Sequence, residues 1–205
     1  MSASTHEHVL VPATGEGHLP LLLLHGTDGS ETELLPLADR LSPATKLSVR
    51  GTVDLPGGHA FFRRRPDRRV DEEDLRARVP LLREFLLDNC RELGDTRPVA
   101  VGFSNGAIMA TALMMCHPDL LAGAVLLRPL APFARPPVAD LTGVRVLLLD
   151  GEHDQRRQRG DGLRLAQEFR RMGADVTHDV LPVAHEITEQ DERLARHWLR
   201  TALLS

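Results

Sequence analysis

Lysine is nearly absent from this chain: Lys46 is the only one, so almost every positive charge is an arginine. Tyrosine is missing, and aromatic residues make up 3%. We read the arginine bias as coding composition. The net charge of −4 gives no reason to expect nucleic acid or an anionic membrane as a partner. Cys90 and Cys116 fall on predicted helices without metal-ligand spacing, so buried free thiols are expected. No apolar run approaches the ~20 residues that span a bilayer, which argues against stable membrane insertion. Residues 1–8 carry neither a basic start nor an apolar signal core, so the location expected is cytoplasmic.

What is present suits an ordinary globular chain. With 205 residues, 42% apolar and 26% charged, we expect one domain over 1–205, residues 1–7 forming a disordered tail. Short apolar runs alternate with helical patterns, which predicts an α/β fold with a mostly parallel sheet flanked by helices. The predicted strands are 8–11, 20–24, 46–50, 98–103, 124–127, 144–149 and 176–181. The predicted helices are 31–41, 71–93, 106–117, 160–172 and 189–204. Ser30 with Glu33 has the spacing of a capping box for the first of these. In the second, Leu75, Val79, Leu82 and Leu86 recur at helical spacing as a core-facing stripe, and Pro80 is a candidate kink. Residues 52–70 form the longest irregular stretch, and a loop of that length is more often functional than not. Nothing is long enough to form a separate lid.

Gly102-Phe103-Ser104-Asn105-Gly106 sits where a predicted strand gives way to an apolar helix. A serine flanked by glycines two residues to either side, on such a turn, is a nucleophile elbow. The turn strains the serine backbone and crowds its neighbours, which demands glycine. It also lifts the hydroxyl to a helix N-terminus, where partial positive charge favours a developing oxyanion. A serine hydroxyl still needs a base, and the base needs an orienting acid. In this fold, called the α/β-hydrolase fold, acid and then histidine follow the serine after later strands. Residues 150–154 and 182–186 occupy those places and nominate Asp154 and His185.

The rivals are fewer for the base than for the acid. His178 lies within a strand run, His197 deep in the last helix, and His153 before the last strand. Asp150 ends its strand directly and competes with Asp154 for the acid role. For the oxyanion, the backbone N–H of Asn105 is one expected donor and that of Thr27, in His25-Gly26-Thr27-Asp28-Gly29, the other. Phe61 or Phe62 is expected in the wall of an acyl pocket. Arg63 or Arg64 is expected either to pair with an acid in the 67–74 region or to meet an anionic substrate group. The arginines at 156, 157 and 159 are read as a solvated loop.

These residues together resemble a compact, lidless α/β-hydrolase of the carboxylesterase/phospholipase type, the group that includes acyl-protein thioesterases and lysophospholipases. The likeness is to its bacterial branch, with a Gly-aromatic-Ser-Asn-Gly-Ala elbow at 102–107. It extends to Leu24-His25-Gly26-Thr27-Asp28-Gly29, Arg50-Gly51, Phe61-Phe62-Arg63-Arg64, residues 71–75 and His185-Glu186. The resemblance implies ester hydrolysis by Ser104, Asp154 and His185 without a cofactor, on a small-molecule ester; the choice between monomer and homodimer is not read from the sequence. Thioesters and lysophospholipids are the alternatives within that chemistry. A ligand-binding protein on the same scaffold is the alternative outside it, although such proteins generally lose a triad member. Two departures stand out: Ala184 precedes His185 where the family usually has glycine, and Gln155-Arg156-Arg157 follows Asp154 where relatives often carry proline and an apolar residue.

Overall fold

The computed structural model describes residues 6–201. Its centre is a seven-stranded sheet of β1 (His8–Val11), β2 (Leu21–Leu24), β3 (Lys46–Val49), β6 (Val99–Phe103), β7 (Gly123–Leu127), β8 (Arg145–Gly151) and β9 (Asp175–Leu181). The order across the sheet is β1-β3-β2-β6-β7-β8-β9, with β1 antiparallel to β3 and every other pairing parallel. All seven predicted strands are present. Five helices cover the sheet: α1 (Leu35–Leu41), α2 (Glu72–Asp88), α3 (Asn105–Cys116), α4 (Asp161–Arg171) and α5 (Glu189–Thr201).

Alternation along the strands divides the core in two. Leu22 and Leu24 join the cluster that includes side chains of α2, α3 and α4, while Leu21 and Leu23 join that of α1 and α5. A strand buried on both faces reads as an unbroken apolar run, as the four leucines of β2 do. The stripe of Leu75, Val79, Leu82 and Leu86 is buried as its spacing predicts, with Pro80 carried inside α2. Asp71 caps that helix, its carboxylate accepting from the Asp74 N–H at 3.3 Å.

Several expectations are corrected. The 52–70 stretch is not irregular throughout: β4 (Val53–Leu55) and β5 (Gly58–Ala60) pair as a hairpin around Pro56-Gly57. Ser30 does not cap α1, which begins later, after Leu34, with Pro36 in its first turn. The Ser30 hydroxyl accepts from the Thr32 N–H at 3.3 Å, and the Glu33 carboxyl reaches back to the Gly26 backbone instead. The predicted 71–93 helix stops at Asp88, and a 3₁₀ turn covers Cys90–Leu93. The thiols are not buried: Cys90 is exposed and Cys116 half-buried, because the first lies on that surface turn and the second ends α3. Of the expected tail, His6 is buried and Glu7 pairs with Arg50, while residues 1–5 lie outside the described residues, as do 202–204 of the last helix. No helix among the described residues is long and apolar enough to cross a membrane.

Two glycines let α3 lie against the sheet. A Cβ on Gly106 would fall 2.0 Å from the Leu24 carbonyl oxygen, and one on Gly102 would fall 2.8 Å from the backbone of Ala107. Both obstacles are backbone and cannot swing aside. Gly106→Ala should therefore destabilise the fold by about 3 kcal/mol, the upper end of ordinary overpacking costs. Urea denaturation measures this, and a midpoint unchanged from the parent would contradict the close approach of α3 and β2.

Candidate active site

Ser104 stands between β6 and α3 with φ 51° and ψ −104°, a strained conformation for a residue bearing a side chain. Its backbone N–H donates to the Leu127 carbonyl at 2.9 Å, which ties the turn to β7. The Ser104 hydroxyl donates to His185 Nε2 at 2.8 Å, and His185 Nδ1 donates to Asp154 Oδ2 at 2.6 Å. Asp154 is buried, and its other oxygen accepts from the Arg156 N–H at 2.8 Å. The structure thus brings Ser104, His185 and Asp154 together in one chain of hydrogen bonds. Asp150 is not in that chain: its carboxylate accepts from His178 Nε2 at 2.7 Å, beside a cavity of about 590 Å³ lined also by Asp154, Arg157, Asp161 and Val180.

The Thr27 loop lies against the elbow. The Gly106 N–H donates to the His25 carbonyl at 3.0 Å. The buried His25 ring fixes this loop: Nδ1 donates to the Gly26 carbonyl at 2.6 Å, and Nε2 accepts the Gly51 N–H at 2.9 Å. That pattern requires a neutral imidazole, and burial lowers its pKa accordingly. Asn105, fully buried, spans to the next segment, its Oδ1 accepting the Phe61 N–H at 2.8 Å and its Nδ2 donating to the Phe62 carbonyl at 3.2 Å. The Phe103 ring faces His185 at 5.3 Å between centroids.

Phe61 and Phe62, expected at a pocket wall, are each 1% exposed and belong to the main core cluster. Their backbone reaches the elbow; the Phe61 ring packs on His25 at 4.7 Å. Arg63 takes the acid-pairing option, its N–H and guanidinium both meeting Asp74, at 2.7 and 3.1 Å. Among the described residues Arg64 meets no acid: it lies over the Phe62 ring at 5.6 Å and donates to the Arg68 carbonyl. Ala184 is exposed, and its carbonyl accepts from Arg128 Nε at 3.2 Å.

Sequence reasoning missed two arginines. Arg128, completely buried at the end of β7, forms a bidentate pair with Asp191 at 2.7 Å for both contacts. Arg157, read as a solvated loop residue, turns inward until Nη2 lies 3.5 Å from Ser104 Oγ. The only signal in the sequence was position: one follows a strand end, the other comes three residues after Asp154.

The model of a family described as Phospholipase/Carboxylesterase matches residues 52–203. A Bacillus subtilis (strain 168) protein named "Putative hydrolase MhqD" is 33% identical over 187 residues, which are 90% of this chain and 94% of that protein. The Bacillus cereus carboxylesterase structure superposes with a TM-score of 0.93 at 35% identity, covering 98% of this chain and 96% of that one. A carboxylesterase structure from Mesorhizobium loti gives 0.89 at 30% identity, covering 98% and 97%.

Burial lowers the His185 pKa from 6.5 to about 4; the Asp154 hydrogen bond opposes the shift, and the Arg157 and Arg156 charges add to it. A depressed histidine pKa means the neutral ring persists as pH falls, until the solution reaches the depressed value. NMR titration of the His185 ring should show it neutral at pH 6, with protonation centred near pH 4. A midpoint at 6.5 or above would contradict the desolvated environment.

Proposed function

Because the chain belongs to the phospholipase/carboxylesterase family, we propose that it is a serine hydrolase cleaving carboxylic esters of small to medium acyl chains through a Ser104 acyl-enzyme. The observation that carries this reading is the unbroken relay from Ser104 Oγ through His185 to the buried Asp154, at 2.8 and 2.6 Å. His185 takes the serine proton on Nε2 as Oγ attacks the ester carbonyl. The N–H groups of Asn105 and Thr27 receive the oxyanion, near the positive end of α3. The tetrahedral intermediate collapses as His185 passes its proton to the leaving alcohol. Water, deprotonated by the same imidazole, then attacks the acyl-enzyme and releases the acid. Asp154 holds Nδ1–H toward itself, which leaves Nε2 free to act as base, and stabilises the imidazolium that forms.

The lowered pKa of His185 supports this reading, since a base must be unprotonated before it can accept a proton. The assembled relay also weighs against a purely ligand-binding role. A thioester carbonyl makes the same demands on the site, and so does a lysophospholipid ester.

Ser104→Ala should lower kcat/KM for a short activated ester by about 10³-fold or more without loss of fold. Asp154→Asn should cost turnover on a comparable scale, because the imidazole loses the partner that sets its tautomer. Asp150→Asn should instead lower stability, since it weakens the contact to His178, and leave turnover within a few-fold of the parent. Steady-state kinetics together with thermal melts separate these outcomes. Equal turnover in Ser104→Ala and parent would end the serine-hydrolase reading; reversal of the two aspartate results would make Asp150 the acid.

A further inference from the structure

Among the described residues, the hydrogen bonds that hold Arg157 close to Ser104 all go to neutral groups. Nε donates to the carbonyls of Arg128 and Pro129 at 3.1 and 2.8 Å, Nη1 to that of Arg156 at 3.1 Å, and Nη2 to that of Arg128 at 2.5 Å. The same Nη2 lies 3.5 Å from Ser104 Oγ. Among the described residues, no carboxylate comes within ion-pairing distance of it, although three acids are near enough to raise its pKa against the effect of burial. Each is engaged elsewhere. Asp154 accepts from His185 and the Arg156 N–H, Asp161 from Arg164 and the Gln158 N–H, and Asp150 from His178. The contrast with Arg128 is direct, since that guanidinium is matched by Asp191.

A second cation without an acid partner lies nearby. The Arg64 guanidinium lies over the Phe62 ring and donates to the Arg68 carbonyl, and it forms no ion pair with a carboxylate among the described residues. Burial lowers its pKa to about 10, and the Arg157 charge is the next largest cause. Two desolvated like charges held near each other are unfavourable, and a bound anion relieves both penalties at once. The cost is borne beside the nucleophile, where a substrate would supply that anion.

We propose that Arg157, with Arg64 adding a second positive charge, forms an anion subsite beside Ser104, and that the substrate is an ester carrying a carboxylate or phosphate a few atoms from the scissile bond. The inference rests on the serine-hydrolase reading and names the substrate class for it. The spacer must be short, because the Arg157 guanidinium is 3.5 Å from the attacking oxygen. Guanidinium groups bind such oxyacids through paired charge-assisted hydrogen bonds, which favours a monoester of a short dicarboxylic acid over a plain fatty ester.

The test compares charged and neutral esters of matched length. Phenyl hemisuccinate against phenyl methyl succinate places the carboxylate on the acyl side. The acetate ester of 3-hydroxypropanoate against its methyl ester, and that of 2-hydroxyethyl phosphate against its dimethyl ester, place a carboxylate or a phosphate on the alcohol side. In the parent protein, at least one charged member should exceed its neutral partner in kcat/KM by roughly tenfold or more, a ratio of the size that charge-assisted bonds support. The pair that shows the preference identifies the side and the anion. In Arg157→Met and in Arg64→Met the ratio should fall toward one, mainly through KM of the charged ester, and Arg157→Lys should restore part of it. A ratio near one in the parent overturns the subsite. So does a ratio unchanged in both methionine variants, even with lower rates on every ester, since that marks a structural role. Ser104→Ala separates the two levels: residual turnover of the charged ester there defeats the serine-hydrolase reading itself, whereas an inactive Ser104→Ala beside an indifferent parent defeats only the anion subsite.

Discussion

The position of His185 depends on one buried ion pair. Arg128 uses every N–H of its guanidinium: two meet the Asp191 carboxylate, one the Leu149 carbonyl at the end of β8, and two the carbonyls of Ala184 and Glu186. Those last two residues are the immediate neighbours of His185 in the chain. Asp191 is shared in turn, accepting from the N–H and the hydroxyl of Thr188 while its own N–H returns to that hydroxyl, a reciprocal cap on α5. One pair therefore joins β7, β8, the histidine loop and α5. Burying two charges is expensive, but breaking such a pair leaves one of them uncompensated at a cost of about 3–5 kcal/mol. The arrangement tolerates little slack because every donor is satisfied, and the imidazole inherits that rigidity.

The elbow is held with comparable firmness from the other side of the sheet centre. Gly106 touches the Leu24 and His25 carbonyls, His25 grips Gly51, and Asn105 grips the backbone of Phe61 and Phe62. The positive φ of Ser104 is thus over-determined by contacts on three segments, the condition under which backbone strain persists in a folded protein. Strain at Ser104 and the ion pair at Arg128 act on the two ends of the same 2.8 Å hydrogen bond. Between them they fix the mutual orientation of the Ser104 hydroxyl and the His185 ring, and the proposed chemistry requires such orientation to be set in advance.

The sheet was legible because its strands are buried apolar runs bounded by polar or glycine-rich turns, a pattern that needs no long-range information. The elbow was legible because steric demand restricts residue type at fixed offsets. Expectations failed where a side chain's destination depends on distant backbone. Glu33 has capping-box spacing, yet burial of its carboxyl against the Gly26 segment draws it away from the helix end. The hairpin at 53–60 has strands of three residues each, too short to stand out from a loop. Phe61 and Phe62 read as a candidate pocket wall because they are apolar residues in a loop, and only the packing of that loop onto α2 and α3 shows why both are in the core. Arginine is the least legible residue of all. Its long stem carries the charge inward or outward with equal ease, so Arg128 and Arg157 are indistinguishable in sequence from the exposed arginines around them.

The competition between Asp150 and Asp154 shows how strand geometry sorts similar residues. Asp150 belongs to β8 and lies opposite Val180 of β9, while His178 lies opposite Leu148. Positions two apart along a strand share a face, so Asp150 and His178 are diagonal neighbours whose side chains meet. Register therefore commits Asp150 to the flank of the sheet. Asp154 is past the strand end, where no ladder constrains it, and the backbone of Gly151 and Arg156 folds it into a tight turn: its N–H donates to the Gly151 carbonyl at 3.2 Å, and its carboxylate accepts from Arg156. That turn points one oxygen at His185 and the other at the Arg156 N–H. The Arg157 guanidinium beside the Ser104 hydroxyl is thus left without an ion pair among the described residues, although the charges of Asp154, Asp161 and Asp150 act on it from farther away.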